Sequence, residues 1–388
     1  MIDVGVAIFT YNRSEHFRKV LDGFKKNEIH HKVYIFQDGI KNDQDLIQHN
    51  NIKKIIDEMD WIEFEYNCFD YNKGCSKSIE DGIDYVLARH EAVVVLEDDC
   101  IPLPGFMSYM DLCFDQYKEN QKVIGIGGFA WNLAIDVNKV KEDVYASGRT
   151  SSWGWGTWKD RWAGYKRDFD ILKRIYFDQA ASERLGIWGD DLEDMLCATL
   201  GCRADAWDVF WCLHAIEEDK VFILPYRSFI DNIGTDGSGT NCGVTDELKP
   251  QYFADKKKDF KLIENCNPTL EIKMAFAPLW NGYGHYPEYK DENCKKAIIW
   301  GVGRYYRNHK KEILKKYDVQ AFIDRKKIKY FEGKPVIDCE RISAYTYDFI
   351  VIVFQNKEEA ARMKENLTAK YGIEGEKIII WEEGDIFQ

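Results

Sequence analysis

The chain has 388 residues, of which 45% are hydrophobic and 31% charged, and its formal net charge at pH 7 is -13. This composition is typical of an ordered globular protein and excludes a disordered one, and the length favours two domains. The acidic excess lies in residues 1–292, which argues against a nucleic-acid partner.

No apolar run approaches the roughly 18 residues of a membrane-spanning helix. The chain begins with a strand-like segment at 4–9 and has no basic leader before it, so we expect a cytoplasmic protein. Its 11 cysteines are an odd number and form no CxxC pair. This pattern argues against a disulfide framework or a structural zinc site and favours reduced thiols.

The first hundred residues alternate strand-like and helix-like patterns, which predicts a parallel α/β sheet. Ser14 is the predicted N-cap of the first helix. The predicted strands are 4–9, 32–37, 61–66 and 92–96, and the predicted helices are 14–26, 44–58 and 76–89.

Residues 121–240 are irregular in pattern and rich in Trp, Gly and Asp, so we expect site-bearing loops there. Turn signals at 266–292 predict a connecting segment. The sequence therefore divides into a catalytic domain at 1–265, this connection, and a second domain at 293–388.

The second domain opens like a mononucleotide-binding βαβ unit, which predicts a small Rossmann-like α/β domain. Strand 297–300 leads through Gly301-Val302-Gly303 into helix 304–317 and strand 319–324. Tyr306 replaces the third glycine of the dinucleotide motif, whereas Asp324 stands close to the spacing of a ribose-binding acid. Nucleotide binding and a purely structural or assembly role both remain open.

Three consecutive acids, Glu97-Asp98-Asp99, follow an apolar strand. Ligands of open α/β sheets bind at such carboxyl strand ends, and hard Mn²⁺ or Mg²⁺ prefers carboxylate oxygens together with substrate phosphates. The alternative is a solvated acidic turn. Two further strand ends support the first interpretation, because Thr10 to Ser14 offers Arg13 and a helix N-terminus and Gln37-Asp38-Gly39 presents another acid.

These motifs, together with Pro104-Gly105-Phe106, resemble the N-acetylglucosaminyltransferase I family. More widely, residues 3–240 resemble GT-A fold glycosyltransferases, including bacterial family-2-like sugar transferases. The resemblance implies a metal-dependent hexosyltransferase that uses a nucleotide sugar, with uridine diphosphate (UDP) sugars as the foremost donors and UDP-N-acetylglucosamine among them.

The resemblance also implies roles for single residues. Asp38 would read the uracil, Arg13 would lie near the nucleotide, Asp98 would contact the ribose or sugar, and Asp99 would ligate Mn²⁺. The donor-binding set is then Thr10, Asn12, Arg13, Asp38, Glu97 and Asp98.

The segment 151–158 resembles an acceptor-side loop, in which Trp153 and Trp155 would pack against sugar rings. Core packing is the alternative for each of them. The glycine-rich segment 235–241 would be either a lid over the diphosphate or a plain surface turn.

Asp208 follows Trp207, as the catalytic base does in the family, and it is our candidate base for an inverting transfer. The alternative role for Asp208 is that of a helix N-terminal acid. Asp205 is the competing base, followed by Glu193 and Asp194.

The acceptor expected from the resemblance is a glycan or a lipid-linked saccharide, reached at most by peripheral attachment to the inner membrane face. The oligomeric state stays open, a homo-oligomer included. A sugar nucleotidyltransferase is a rival, although a glycine-rich triphosphate loop with Lys or Arg is missing near the N-terminus. A non-catalytic carbohydrate-binding or scaffold protein is the other rival.

Overall fold

The structure is a computed structural model that describes residues 2–133, 135–189, 192, 195–196, 199, 206–236, 250–252, 259–280, 294–324, 330–331 and 334–382. The chain divides into two compact units, Met1–Phe276 and Ala277–Gln388. Each unit is described by itself.

The first unit is built on an eight-stranded mixed sheet with the strand order β3-β2-β1-β4-β8-β6-β9-β7. The pairs β1–β2, β1–β4, β2–β3 and β6–β9 are parallel, and the other pairs are antiparallel. The strands are β1 Val4–Thr10, β2 Lys32–Gln37, β3 Phe64–Cys68, β4 Ala92–Glu97, β6 Val123–Gly127, β7 Val144–Ser147, β8 Trp155–Trp158 and β9 Val221–Pro225. A two-stranded ribbon pairs β5 Cys100–Pro102 with β10 Ile230–Asn232.

Eight α-helices with assigned bounds precede residue 266 among the described residues. They are α1 Ser14–Phe24, α2 Leu46–Asp57, α3 Cys75–Leu87, α4 Phe106–Tyr117, α5 Lys159–Trp162, α6 Ile171–Phe177, α7 Gln179–Trp188 and α8 Trp207–Glu217. Helix α1 buries Phe17, Val20, Leu21 and Phe24, which recur at helical spacing. This apolar face explains why the segment folds as a helix.

The start of α1 differs from the prediction. Arg13, not Ser14, occupies the N-cap position, and no side chain caps the helix there. Ser14 is the first helical residue, and its hydroxyl donates to Gln48 Oε1 at 2.5 Å. The side chain of Ser14 therefore joins α1 to α2.

Strand β3 begins later than the predicted strand 61–66. Trp61 packs edge-on against Phe24, with ring centroids 6.5 Å apart, and so belongs to the layer that covers the sheet. Pairing with β2 starts only at Phe64, opposite Val33.

The region 121–240 contains more regular structure than its sequence pattern suggests. Strand β8 lies between β4 and β6, and all four of its residues are buried. A strand covered on both faces has no polar alternation to reveal it. From the sequence alone, its apolar and small residues therefore predict a loop.

Helix α9, Leu270–Trp280, lies inside the segment predicted as a connection at 266–292. Pro278 stands in the last turn that is assigned to this helix. The turn-forming residues of this segment therefore favour a connection, and the sequence pattern does not predict the helix.

The second unit contains a four-stranded parallel sheet with the order β12-β11-β15-β16. Its elements are β11 Lys295–Trp300, α10 Arg304–Lys316, β12 Tyr317–Ile323, β13 Tyr330–Phe331, β14 Lys334–Pro335, β15 Phe349–Ile352, α11 Lys357–Tyr371 and β16 Ile378–Ile380. The predicted α/β class, with a large mixed sheet and a second smaller sheet, is confirmed.

Candidate active site

Three neighbouring strands bring the predicted donor residues to one edge of the large sheet. Strand β1 lies between β2 and β4, and it is parallel to both. The carboxyl ends of parallel strands meet at the same edge, so Thr10, Asp38 and the acids 97–99 lie on one side of the molecule. This edge is the usual ligand position in open α/β sheets.

Asp98 is held by the turn that follows β1. Its Oδ2 accepts from the Thr10 hydroxyl at 3.1 Å and from the Tyr11 backbone N–H at 3.2 Å. Its Oδ1 accepts from Arg13 Nη2. Burial raises the pKa of Asp98, and the positive charge of Arg13 opposes that rise.

Arg13 bridges two of the three acids, because the same Nη2 lies 2.9 Å from Asp99 Oδ2. Burial opposes the positive charge of Arg13, but Asp98 and Asp99 outweigh this effect and raise its pKa. The other terminal nitrogen, Nη1, is buried and has no hydrogen-bond partner among the described residues. Arg13 therefore has one buried donor, Nη1, that no described residue accepts.

Glu97 and Asp208, the predicted base, both have raised pKa values. Burial and the charges of Asp99 and Asp208 raise the pKa of Glu97 well above the ordinary glutamate value. Asp208 stands in the first turn of α8, and burial raises its pKa as well, while the charge of Arg149 lowers it. The charge of Asp208 therefore acts on the acids that end β4.

Asp38 has a different environment from the one expected for a base-reading group. Its Oδ1 accepts from the backbone N–H groups of Gly39 and Lys73, each at 2.9 Å. Its Oδ2 accepts from Asn72 Nδ2 and from the Gly74 N–H, each at 3.0 Å. A carboxylate offers about four acceptor positions. All are taken, so Asp38 fixes the loop before α3.

The side chain of Asn12 is also hydrogen-bonded within the protein. Its side-chain amide donates to Asp45 Oδ1 at 2.6 Å, and the Tyr11 hydroxyl donates to Asp45 Oδ2 at 2.6 Å. Asp45 thus ties the turn after β1 to the loop after β2.

The two predicted acceptor tryptophans differ in exposure. Trp155 is 1% exposed and stacks on Trp207 with ring centroids 5.1 Å apart, so its indole belongs to the core. Trp153 is half-buried and packs edge-on against Phe129 at 4.6 Å. Of the two, Trp153 has surface to offer a ligand.

Several predicted residues lie outside the described ranges. They are Asp205, Glu193 and Asp194, and residues 237–241 of the proposed lid. The lid segment is described as far as Asp236.

Three further residues adjoin the site without a sequence signal. Arg149 is 5% exposed and acts on Asp208 through its charge. Asp45 organises the β1 and β2 turns. Tyr165 donates to Glu80 Oε1 at 2.6 Å and lies 3.3 Å from the carbonyl of Trp207. Their partners are distant in sequence, so no local motif marks them.

The turn after β11 in the second unit adopts the geometry of a glycine turn. Gly301 has a φ of 109°, which favours glycine. The Val302 N–H donates to Asp324 Oδ2 at 2.9 Å. Asp324 therefore stabilises the turn itself.

In the part of the chain with assigned positions, no helix is long and apolar enough to cross a membrane. Within the same residues, no three His, Cys, Asp or Glu side chains are grouped so that they could hold a metal ion.

Residues 293–379 match the sequence profile of a family described as C2185-like, N-terminal. No curated protein matches the chain. Among solved structures, S. aureus TarS 1-349 is similar at a TM-score of 0.36 and 12% identity, over 60% of this chain and 61% of that one. A second S. aureus TarS structure is covered over 36% of its length, so this chain spans less than two thirds of both.

Two further similar structures contain a metal and a nucleotide. The mannosyltransferase PcManGT from Pyrobaculum calidifontis, in complex with GDP-Man and Mn²⁺, has a TM-score of 0.33 and 11% identity, over 56% of this chain and 69% of that one. Glucosyl-3-phosphoglycerate synthase from Mycobacterium tuberculosis, in complex with Mn²⁺, UDP and glucosyl-3-phosphoglycerate, has a TM-score of 0.26 and 10% identity, over 41% of this chain and 57% of that one.

Proposed function

We propose that the chain is a glycosyltransferase that moves a sugar from a nucleotide sugar to a glycan or lipid-linked saccharide. A UDP sugar is the foremost donor, with UDP-N-acetylglucosamine first. The observation that carries the proposal is the cluster at the carboxyl end of β4. There, three successive acids meet Arg13, whose buried Nη1 has no partner among the described residues.

The chemistry of this cluster fits a divalent cation bound together with a diphosphate. Glu97, Asp98, Asp99 and Asp208 outnumber the nearby cations Arg13 and Arg149. Mg²⁺ and similar ions are commonly held by one or two carboxylates and by substrate phosphates. Asp99 would hold Mn²⁺ or Mg²⁺, which would neutralise the charge of the departing diphosphate.

Arg13 would donate from Nη1 to a phosphate oxygen while its Nη2 stays on Asp98. Thr10 and the Tyr11 N–H hold Asp98 in place for the ribose or sugar. Since Asp38 is saturated by N–H donors, its contribution to the donor is to fix the loop 72–74. A preorganised loop costs little ordering when the donor binds.

Asp208 would accept the proton of the acceptor hydroxyl as that oxygen attacks the anomeric carbon. The bond from the anomeric carbon to the diphosphate then breaks, and the configuration inverts. Burial raises the pKa of Asp208 and so makes it a stronger base, while the charge of Arg149 opposes that rise. The reaction would take place in the cytoplasm, with lipid-linked acceptors reached by peripheral contact with the membrane.

A thermal-shift experiment separates this function from its rivals. UDP should raise the melting temperature more with Mn²⁺ than without it, because ligands that bind the folded state stabilise it. Stabilisation by uridine triphosphate but not by UDP would favour a sugar nucleotidyltransferase. A response to saccharides alone would favour a non-catalytic carbohydrate-binding protein. Either result would overturn the proposal.

A further inference from the structure

The two-stranded ribbon continues beyond its paired strands to the acidic site. Asn232 of β10 stands opposite Cys100 of β5. The next residue, Ile233, donates its N–H to the carbonyl of Asp99 at 2.9 Å. We call residues 233–236 the ribbon tip.

Gly234 of the ribbon tip lies directly against the carboxylate of Asp99. A β-carbon at position 234 would stand 2.2 Å from Asp99 Oδ2 and 2.9 Å from its Cγ, which is closer than atoms can approach. The same Oδ2 is 2.9 Å from Arg13 Nη2, and the other oxygen, Oδ1, accepts from the Cys100 thiol at 3.3 Å. The Asp99 carboxylate is therefore held by two side chains and by close packing against Gly234, which has no side chain.

Helix α1 holds the ribbon tip in this position. His16 Nε2 lies 3.2 Å from Asp236 Oδ2. At the other end of the helix, Gly23 packs so closely on β5 that a β-carbon would stand 2.5 Å from Ile101 Cγ2. The ribbon and its tip thus contact α1 at two places, through Gly23 at β5 and through His16 at the ribbon tip.

We propose that His16, Gly234 and Asp236 are positioning residues of the acidic site. The His16–Asp236 contact keeps the ribbon tip on Asp99, and Gly234 leaves the carboxylate the orientation in which it binds a divalent cation. The cation part of this inference rests on the proposed function, whereas the contact between α1 and the ribbon tip does not.

The first test is Gly234→Ala, with Gly186→Ala as the control because no described residue lies within 4 Å of a β-carbon added there. Calorimetry measures UDP binding with and without Mn²⁺. The variant should lose about 10-fold or more of its Mn²⁺-dependent affinity, as is usual when support of a metal ligand is disturbed. UDP binding without metal and the far-UV circular dichroism spectrum should not change, which a general loss of structure would not reproduce.

The second test needs no ligand. Asp236→Ala should speed hydrogen exchange at the Ile233 amide, which is hydrogen-bonded to the backbone carbonyl of Asp99. Asp236→Glu should restore slow exchange. Amides of β1 and β4 should exchange as in the wild type.

Unchanged exchange at Ile233 in Asp236→Ala overturns the positioning role, even if the chain proves to be a glycosyltransferase. Wild-type Mn²⁺ dependence in Gly234→Ala overturns the link to the cation. A wild type that does not bind UDP with Mn²⁺ refutes the proposed function and the cation role together, while the exchange result still decides whether His16 and Asp236 hold the ribbon tip.

Discussion

Arg13 is the residue that balances the charge of the acidic site. It pairs with both Asp98 and Asp99, and the two carboxylates raise its pKa against the effect of burial. The pKa of Glu97, by contrast, is raised well above the ordinary value by burial and by neighbouring acids. The fold therefore disfavours the ionised form of the Glu97 carboxyl group.

Replacement of this group by an isosteric amide should stabilise the protein. A folded-state pKa above the unfolded value means that ionised Glu97 destabilises the fold near neutral pH, and the penalty disappears as the pH falls. Glu97→Gln should raise the melting temperature at pH 7 by a few degrees, corresponding to on the order of 1 kcal/mol. The gain should shrink toward pH 4. Thermal unfolding measures it, with exposed Glu119→Gln as the control, and a lower melting temperature at pH 7 would contradict the assignment.

Asp208 makes the sharpest prediction about chemistry. Asp208→Asn should bind donor and metal normally but lower transfer by about 10²–10⁴-fold. The reason is that loss of a general base slows the chemical step without weakening the binding of donor or metal. In the wild type, the acidic limb of the pH profile should lie above the ordinary aspartate range, since burial raises the pKa of Asp208.

Asp205→Asn is the matched variant for Asp208. If Asp205→Asn abolishes transfer and Asp208→Asn does not, the two roles are exchanged. If neither change matters, Glu193 and Asp194 become the next candidates.

At the scale of elements, Tyr165 is one of the side chains that link helices α3 and α8. The hydroxyl of Tyr165 donates to Glu80 on α3 and lies 3.3 Å from the carbonyl of Trp207, the first residue of α8. The N-terminus of α3 is in turn fixed by Asp38 through the Gly74 N–H. Tyr165 thus connects the donor side to the predicted base.

Tyr165→Phe should break this connection and keep the ring packing on Trp162, whose centroid is 4.3 Å away. Loss of this partly buried hydrogen bond to a charged group should cost about 1–3 kcal/mol of unfolding free energy. Transfer should fall while UDP affinity stays unchanged, because Asp208 and not the donor site loses its support. Tyr85→Phe is the control, since it removes a similar bond to Glu65. Equal effects of both changes on transfer would refute the connection.

The helices and strands show how much of the fold sequence patterns can predict. Alternation predicted the strands and helices of the first hundred residues, since amphipathic helices and buried parallel strands have distinct periods. Strand β8 was missed because all its residues are buried, and α9 was missed because Pro278 and nearby turn residues suggested a connection.

The sequence predicts those parts of the site whose residues form short continuous motifs. The acids 97–99 and the turn 10–14 could be brought together by the rule for strand ends. Arg149, Gly234 and Tyr165 could not, because only the tertiary fold determines which residue each of them faces.

For the whole molecule, every group assigned to the donor lies in the unit Met1–Phe276. In the second unit, Asp324 is engaged by the Val302 N–H, which fits a structural or assembly role. A chain truncated to residues 1–290, which keeps α9 whole, should therefore fold and bind UDP with Mn²⁺ as the full chain does. Calorimetry on both chains is the check, and a folded truncation that no longer binds UDP would show that the second unit takes part in the site.

The most direct test of the whole account is calorimetric titration of UDP into the wild type and into Asp99→Asn, each with and without Mn²⁺. Asp57→Asn, at an exposed acid of α2, is the control. We predict that Mn²⁺ strengthens UDP binding to the wild type and to the control but not to Asp99→Asn, because the amide keeps the shape of the carboxylate and removes the charge that holds the cation. Equal Mn²⁺ dependence in the wild type and Asp99→Asn would contradict the metal-dependent site at the end of β4.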